Sequence, residues 1–327
     1  MLYPLKFKPL LKERIWGGSA LIDKKGKAAG RIDRTKKYGE SWDLSCVQGD
    51  ISKVASGMLK GNDLEELIEV YMGDLVGEKV FEQCGLEFPL LIKTLDCNDV
   101  LSVQVHPDDA LAAERHDSLG KTEMWYITSC EEGAAIYIGF NRENLTREEY
   151  LDAVSSGRLT ELLNRVEVKA GDAFFIPAGM VHALGKGVQV VEIQQTSDVT
   201  YRIYDWDRVD ANGHPRELHT ALAVDAIDFT LGVKESICNY EPKSNKSVKI
   251  AKCKYFTTNI LPIEGEVSKD YASLDSFVIL MCIGGSAELE ADGHIEKLSD
   301  GDVVLLPAEI NEITLTGSAK LLEVYIE

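Results

Sequence analysis

The sequence predicts a mainly β, antiparallel protein made of two related units, and three observations carry that prediction. Short apolar or alternating runs (FPLLIKTL, MWYITS, AAIYIGF, DAFFIP, VQVVEIQQ, VTYRIYDW, SFVILMCIGGSAEL, DVVLLP) are separated by Gly, Pro, Asp and Asn, the spacing of sandwich or barrel strands. The stretch KAGDAFFIPAGMVHAL, residues 169–184, is echoed by LSDGDVVLLPAEINEITL, residues 298–315. Both hold Gly-Asp, four apolar residues and Pro-Ala, so a strand and turn are repeated. Two regions alone read as helix.

The first helical region is residues 61–85, where Asn62 or Asp63 is positioned to cap and Leu64, Leu67, Ile68 and Tyr71 follow at helical spacing. The second, residues 144–166, opens with Thr146 three residues before Glu149, a capping-box pattern. Leu151, Val154, Leu159, Leu162 and Leu163 then spread over two short helices, a helical insertion around residues 143–166. Further on the chain turns polar, with Pro242, Lys243, Ser244, Asn245 and Lys246 marking a loop. The expected units are therefore 1–235 and 236–327. The second copy of the repeat has Glu309 in place of Gly179 and Glu312 in place of His182, so it is expected to lack whatever chemistry His182 performs.

A chain of 327 residues suffices for two domains with a large buried core. The net charge of −19 argues against nucleic acid or an anionic membrane as a partner and requires a locally basic pocket for any anionic substrate. The N-terminal stretch MLYPLKFKPLLKERIWGG lacks the apolar core of a signal peptide, and no window approaches the ~20 apolar residues of a membrane span. Seven scattered cysteines include no C-x-x-C pair, which favours reduced thiols in the cytoplasm over disulfides or a thiolate metal site.

The run LSVQVHPDD, residues 101–109, carries the first candidate site. On a strand, Ser102, Gln104 and His106 share one face, and Leu101, Val103 and Val105 the other. In LGKTEMWYITS, Lys121, Glu123 and Trp125 likewise share a face. Pro177 and Gly179 bound a tight turn that delivers His182. Together these segments offer two imidazoles, a carboxylate and an amide oxygen: His106, His182, Glu123 and Gln104. Such a set suits a catalytic zinc or another borderline divalent ion. The remaining histidines, His116, His214, His219 and His294, carry no such pattern.

Here a resemblance enters. Gly171, Pro177, Gly179 and His182 match the second motif of the cupin superfamily, and QVHP followed by Glu123 is similar to the first, with Gln in place of its first His. LSVQVHPDD, GKTEMWY, FFIPAGMVHAL and SDVTYRIYDWDR together resemble the class I mannose-6-phosphate (phosphomannose) isomerases in their short bacterial form, as do IWGG and GESWDLS nearer the N-terminus. The resemblance implies a double cupin of jelly-roll barrels, the second degenerate and without metal. It implies one zinc per chain on Gln104, His106, Glu123 and His182, and a phosphorylated hexose as substrate. Oligomeric state is left open.

By the same resemblance Arg202 lines up with the family's catalytic arginine and Glu192 stands ten residues before it. A permanently charged guanidinium suits stabilisation of an enediolate, while Glu192 and Lys121 are candidates for proton transfer. Ser102, Lys121, Lys93 and Arg208 are the candidates for holding phosphate. Asp198 caps a turn or touches substrate. Two rival functions stand beside the isomerase: a metal-dependent cupin oxygenase, and a sugar-phosphate sensor without turnover.

Overall fold

A computed structural model describes residues 2–209 and 212–327, and among them three antiparallel sheets form. The first has six strands: β2 (Leu10–Gly18), β3 (Tyr38–Leu44), β4 (Leu90–Cys97), β6 (Glu123–Cys130), β9 (Ala173–Ile176) and β11 (Val188–Gln195), in the order β2-β3-β4-β11-β6-β9. The second has five: β5 (Val103–Val105), β7 (Ala135–Phe140), β8 (Leu163–Glu167), β10 (His182–Leu184) and β12 (Tyr201–Tyr204), in the order β12-β5-β10-β7-β8. The third has seven: β1 (Leu5–Lys6), β13 (Val248–Lys252), β14 (Thr257–Asp270), β15 (Val278–Ala291), β16 (His294–Ser299), β17 (Val303–Leu306) and β18 (Glu312–Tyr325), in the order β1-β17-β15-β18-β14-β13 with β16 beside β15. The helices are α1 (Ala20–Ala29), α2 (Leu64–Tyr71), α3 (Gly73–Val76), α4 (Glu78–Cys84), α5 (Asp109–His116), α6 (Arg147–Ser155), α7 (Thr220–Ala226) and α8 (Val233–Ser236). The fold is mainly β and antiparallel, as the strand spacing predicts.

The alternation of side chains along each strand sorts the core into layers. Leu95, Cys97, Trp125, Ile127 and Val190 of the first sheet meet Ile136, Ile138 and Leu184 of the second, filling a sandwich. The opposite face of the first sheet (Leu90, Ile92, Met124, Val191, Ile193) packs against α2, α3 and α4 and against Ile260, Phe277, Ile279, Leu322 and Val324 of the third sheet. Strands covered on both faces read as continuous apolar runs, which explains Leu90-Leu91-Ile92 at the start of β4. The outer face of the second sheet (Val103, Val105, Tyr201, Ile203) lies under Tyr150 of α6 and Ala223 and Val224 of α7.

The third sheet is tied to the rest of the chain at several points. β1 crosses from the N-terminus to pair with β17, Leu5 opposite Leu305, so the N-terminal segment joins the third sheet, whose other strands lie within residues 248–325. The buried ammonium of Lys25 on α1 sits 2.9 Å from Asp43 and also donates to the carbonyl of Gly301. The helical region 61–85 breaks into three pieces, at Met72 (φ 45°) and Gly77 (φ 96°). Asp275 of the second unit accounts for the second break: it accepts from Glu78 N at 2.7 Å, and its carbonyl oxygen would lie 2.5 Å from any Cβ on Gly77. Both predicted caps form, Asp63 with Glu66 and Thr146 with Glu149. Helices α1, α5, α7 and α8 escape a periodicity search because each covers little apolar surface.

Phe277, fully buried and directly preceding β15 of the third sheet, sets its ring 4.5 Å from that of Phe88, tilted by 41°. Phe277→Ala is expected to cost about 3–5 kcal/mol in urea unfolding. A loss below about 1 kcal/mol would contradict the joint packing of the two units.

Candidate metal centre and cavity

Strand register brings the site together. His182, the first residue of β10, lies directly opposite Gln104 of β5, and Gln104 lies opposite Arg202 of β12. The second sheet thus presents the row Arg202, Gln104, His182. In the first sheet Glu192 of β11 stands between Lys93 of β4 and Trp125 of β6. The two rows face each other inside the sandwich, with the rings of Trp125 and His182 edge to face at 5.3 Å. Glu123 opens β6, and His106 follows β5.

The histidine tautomers are set by their outer partners. His106 Nδ1 lies 3.0 Å from the carbonyl of Val199, and His182 Nδ1 lies 2.8 Å from the carbonyl of Met180. A carbonyl only accepts, so each Nδ1 carries a proton and donates. Burial, and then Lys121, pushes His106 down to about 3, and burial also lowers His182. Both rings are therefore neutral at pH 7 and turn an Nε2 lone pair inward. His106 Nε2 lies 3.2 Å from Glu123 Oε1, and His182 Nε2 lies 3.8 Å from Glu123 Oε2. Among the described residues, His106 Nε2 and both Glu123 oxygens are buried with no hydrogen-bond partner. One ligand atom from each of the three residues fits within 4.8 Å of the others. Lone pairs converging in a buried space repel one another unless a cation sits among them. The donor set, two imidazoles each anchored by an outer hydrogen bond and a carboxylate with both oxygens free, fits a divalent metal. Gln104 adds a neutral amide, its Nε2 3.3 Å from His182 Nε2; exchanging the two ends of the amide brings the oxygen to the same point.

Beside this centre opens a cavity of about 300 Å³ that is lined by Ser102, Gln104, Lys93, Lys121, Glu192, Asp198 and Arg202, among others. The Glu192 carboxylate accepts from Lys93 Nζ at 3.0 Å and from Trp125 Nε1 at 2.9 Å. Burial and the nearby Glu123 raise its pKa, while Glu192 and Glu40 overcome burial to keep Lys93 raised. Lys121 Nζ is 3.4 Å from Glu123. Arg202 donates to the carbonyl of Glu217 at 2.8 Å, whereas its Nε is buried without a partner. Burial, followed by the proximity of Arg216, lowers its pKa.

Three sequence expectations are corrected. The helical insertion expected to run to about residue 166 ends at Leu162, and Leu163 opens β8, paired with β7, instead of continuing a helix. Leu101 does not share a face with Val103 and Val105: β5 begins at Val103, and Leu101 turns into the sandwich core and the cavity wall. Arg208 does not line the cavity. It donates to Asp205 at 2.5 Å and to the carbonyl of Val100. Arg216 takes the place at the cavity wall, its fork held by Asp205 at 2.7 and 2.6 Å. Nothing in the pattern of HPREL marks it. Arg14 and Glu40 also line the cavity, bonded to each other at 2.8 and 3.1 Å. Arg14 directly precedes the IWGG motif and Glu40 lies within GESWDLS; the signal for Glu40 was a charge in a strand otherwise buried, whereas Arg14 sits in a half-exposed strand with no such mark.

Residues 4–134 match the catalytic domain of type I phosphomannose isomerase, and residues 246–326 match the mannose-6-phosphate isomerase cupin domain. The mannose-6-phosphate isomerase ManA of Bacillus subtilis strain 168 is 38% identical over 322 residues, 97% of each chain. A mannose-6-phosphate isomerase of Streptococcus mutans is 33% identical, covering 98% of each chain. The crystal structure of the mannose 6-phosphate isomerase from Bacillus subtilis superposes with a TM-score of 0.88 at 37% identity, over 99% of this chain and all of that one. A phosphomannose isomerase variant from Salmonella typhimurium shares the fold, with a TM-score of 0.78 at 18% identity over 99% of this chain and all of that one.

Glu40 yields a pH prediction. Burial pushes its carboxyl up, but Lys93 and Arg14 outweigh that and hold it at about 2, against 4.5 when unperturbed. A depressed carboxyl stabilises the fold above its unfolded pKa, and that contribution is lost as pH falls through the folded value. Glu40→Gln is therefore expected to flatten the fall in unfolding free energy between pH 4.5 and 2, by on the order of 2 kcal/mol. Urea unfolding at a series of pH values measures it; an unchanged slope would contradict the assignment.

Proposed function

The chain belongs to the type I phosphomannose isomerase family, and we propose on that premise that it interconverts mannose 6-phosphate and fructose 6-phosphate in the cytoplasm. One zinc ion per chain would be held by Gln104, His106, Glu123 and His182. The observation that carries this reading is the convergence of His106, Glu123 and His182 beside a cavity rich in cations, with His106 Nε2 and both Glu123 oxygens lacking a hydrogen-bond partner among the described residues. Seven unpaired cysteines agree with a reducing compartment.

Bound there, zinc would act as a Lewis acid on the sugar oxygens next to C1 and C2. The isomerisation removes the C2 proton of the aldose, passes through a cis-enediol and returns a proton to C1, while a second proton moves from O2 to O1. Arg202 would stabilise the negative charge that develops; its permanently protonated guanidinium and a buried Nε without a partner among the described residues support that role. Glu192, buried and raised, and Lys121 line the same cavity and are assigned to the proton transfers. Lys93, bonded to both Glu192 and Gln194, orients that carboxyl.

For the phosphate, Ser102, Lys121 and Arg216 are the groups on the cavity wall. Asp205 is shared between Arg208 and Arg216, so with Arg202 the cluster holds three guanidiniums and one buried carboxylate. That excess of positive charge suits a dianion and offsets the field of a chain with net charge −19.

The test is turnover of mannose 6-phosphate before and after chelation and zinc repletion. Activity lost and then restored supports the reading; zinc-loaded protein without turnover would sink it. Arg202→Met is expected to lower kcat by roughly 10²–10³-fold with the fold intact by circular dichroism. Arg216→Met should raise KM about 10- to 100-fold, and Arg208→Met far less. An equal effect of the two would contradict the placement of phosphate at Arg216.

A further inference from the structure

The motif that carries His106 ends in Pro107-Asp108-Asp109, and the metal centre accounts for neither aspartate. Asp108 caps α5, accepting from Leu111 N at 2.9 Å. Asp109 does something different: each of its oxygens takes two donors, from opposite sides. Oδ1 accepts from Gly120 N at 3.1 Å and from Gln195 Nε2 at 2.9 Å. Oδ2 accepts from Tyr255 Oη at 2.5 Å and from Lys254 Nζ at 3.0 Å. Tyr255 and Lys254 lie in the turn between β13 and β14, in the third sheet.

The inner oxygen leads into the site by a short chain of bonds. Gln195, at the end of β11, accepts from Thr122 N at 2.9 Å through its side chain. Lys121 N donates to the carbonyl of Pro107 at 3.1 Å, and Ala178 N to Thr122 Oγ1 at 3.3 Å. Gly179 N donates to the carbonyl of His106 at 2.9 Å. The segments bearing His106, Lys121 with Glu123, and His182 are thus laced together outside any strand pairing. Gly120 lets two of them touch, since a Cβ there would lie 2.5 Å from Asp109 N.

We propose that Asp109 and Tyr255 are positioning residues through which the metal-free second unit braces the ligand-bearing loops of the first. The role of the second unit is then to fix the spacing of His106, Glu123 and His182 from outside. A carboxylate is the group for the task because it accepts from both sides at once; an amide in its place would turn a donor toward one pair of donors. This inference rests on the metal site proposed above. Tyr255 touches none of the proposed ligands, so any effect of its removal reaches the ion through Asp109.

The experiment measures zinc affinity of the full chain by competition with a chelating dye, together with amide hydrogen exchange, for Asp109→Asn, Tyr255→Phe and Lys254→Ala. Asp109→Asn and Tyr255→Phe are expected to weaken zinc about 10- to 100-fold, the usual effect of losing an outer partner of a metal ligand. The amides of Gly120 to Thr122 should exchange at least about 10-fold faster, those of β4 and β11 unchanged. Lys254, on an exposed side chain, should matter little. Zinc binding within about twofold of the parent in both Asp109→Asn and Tyr255→Phe would overturn the brace alone, even if their melting temperatures fall. A parent chain that fails to bind zinc would overturn the metal site and the brace together.

Discussion

The constraint on which the rest of this structure depends is a clash of like groups. Two neutral imidazoles and a carboxylate aim lone pairs into one buried space, with their outer nitrogens already committed to the carbonyls of Val199 and Met180. The second unit supplies the contrast. Glu323 is as buried as Glu123, yet its oxygens accept from Tyr271 at 2.6 Å and Asn259 at 2.9 Å, with Lys269 Nζ 2.9 Å away. A carboxylate so satisfied leaves no role for an added cation. Among the described residues, the ionisable groups within 4 Å of the Glu123 carboxylate are His106, His182 and Lys121, and neither of its oxygens has a hydrogen-bond partner.

Much of the architecture serves to hold that arrangement. Glu123 and His182 open β6 and β10 and His106 directly follows β5, so the register of these strands sets their spacing, and layers of apolar side chains against the sheets fix the register. The charges beside the centre are handled in pairs: Lys93 with Glu192, Arg14 with Glu40, Arg216 with Asp205. Pairing keeps buried ions from costing several kcal/mol each. It also leaves the unpaired guanidinium of Arg202 as a charge available to a ligand.

How much of this was legible in the sequence follows from the range of each interaction. The period of two in a strand put Gln104 with His106, and Lys121 with Glu123 and Trp125, on shared faces, and the Pro177-Gly179 turn marked the arrival of His182. The capping box at Thr146 was equally local, and so was the choice of Asn62 or Asp63 as the first helix's cap, which the structure resolves to Asp63. What sequence could not show was set by contacts far along the chain. The break at Gly77 is made by Asp275. Arg208 sits six residues beyond Arg202, but Trp206 and Asp207 adopt left-handed backbone with φ of 56° and 54°. The chain reverses there, carrying Arg208 to Val100 and bringing Arg216 back to the cavity. β1 joins the far sheet for the same reason: pairing across some 300 residues leaves no local signal.

The central claim is that His106, Glu123 and His182 surround a divalent cation, and metal analysis of the purified chain joined to X-ray absorption at the metal edge tests it most directly. The account requires one ion per chain in a shell of nitrogen and oxygen that includes two imidazoles and no sulfur. A chain that carries no stoichiometric metal, or a metal bound through thiolate, would contradict it.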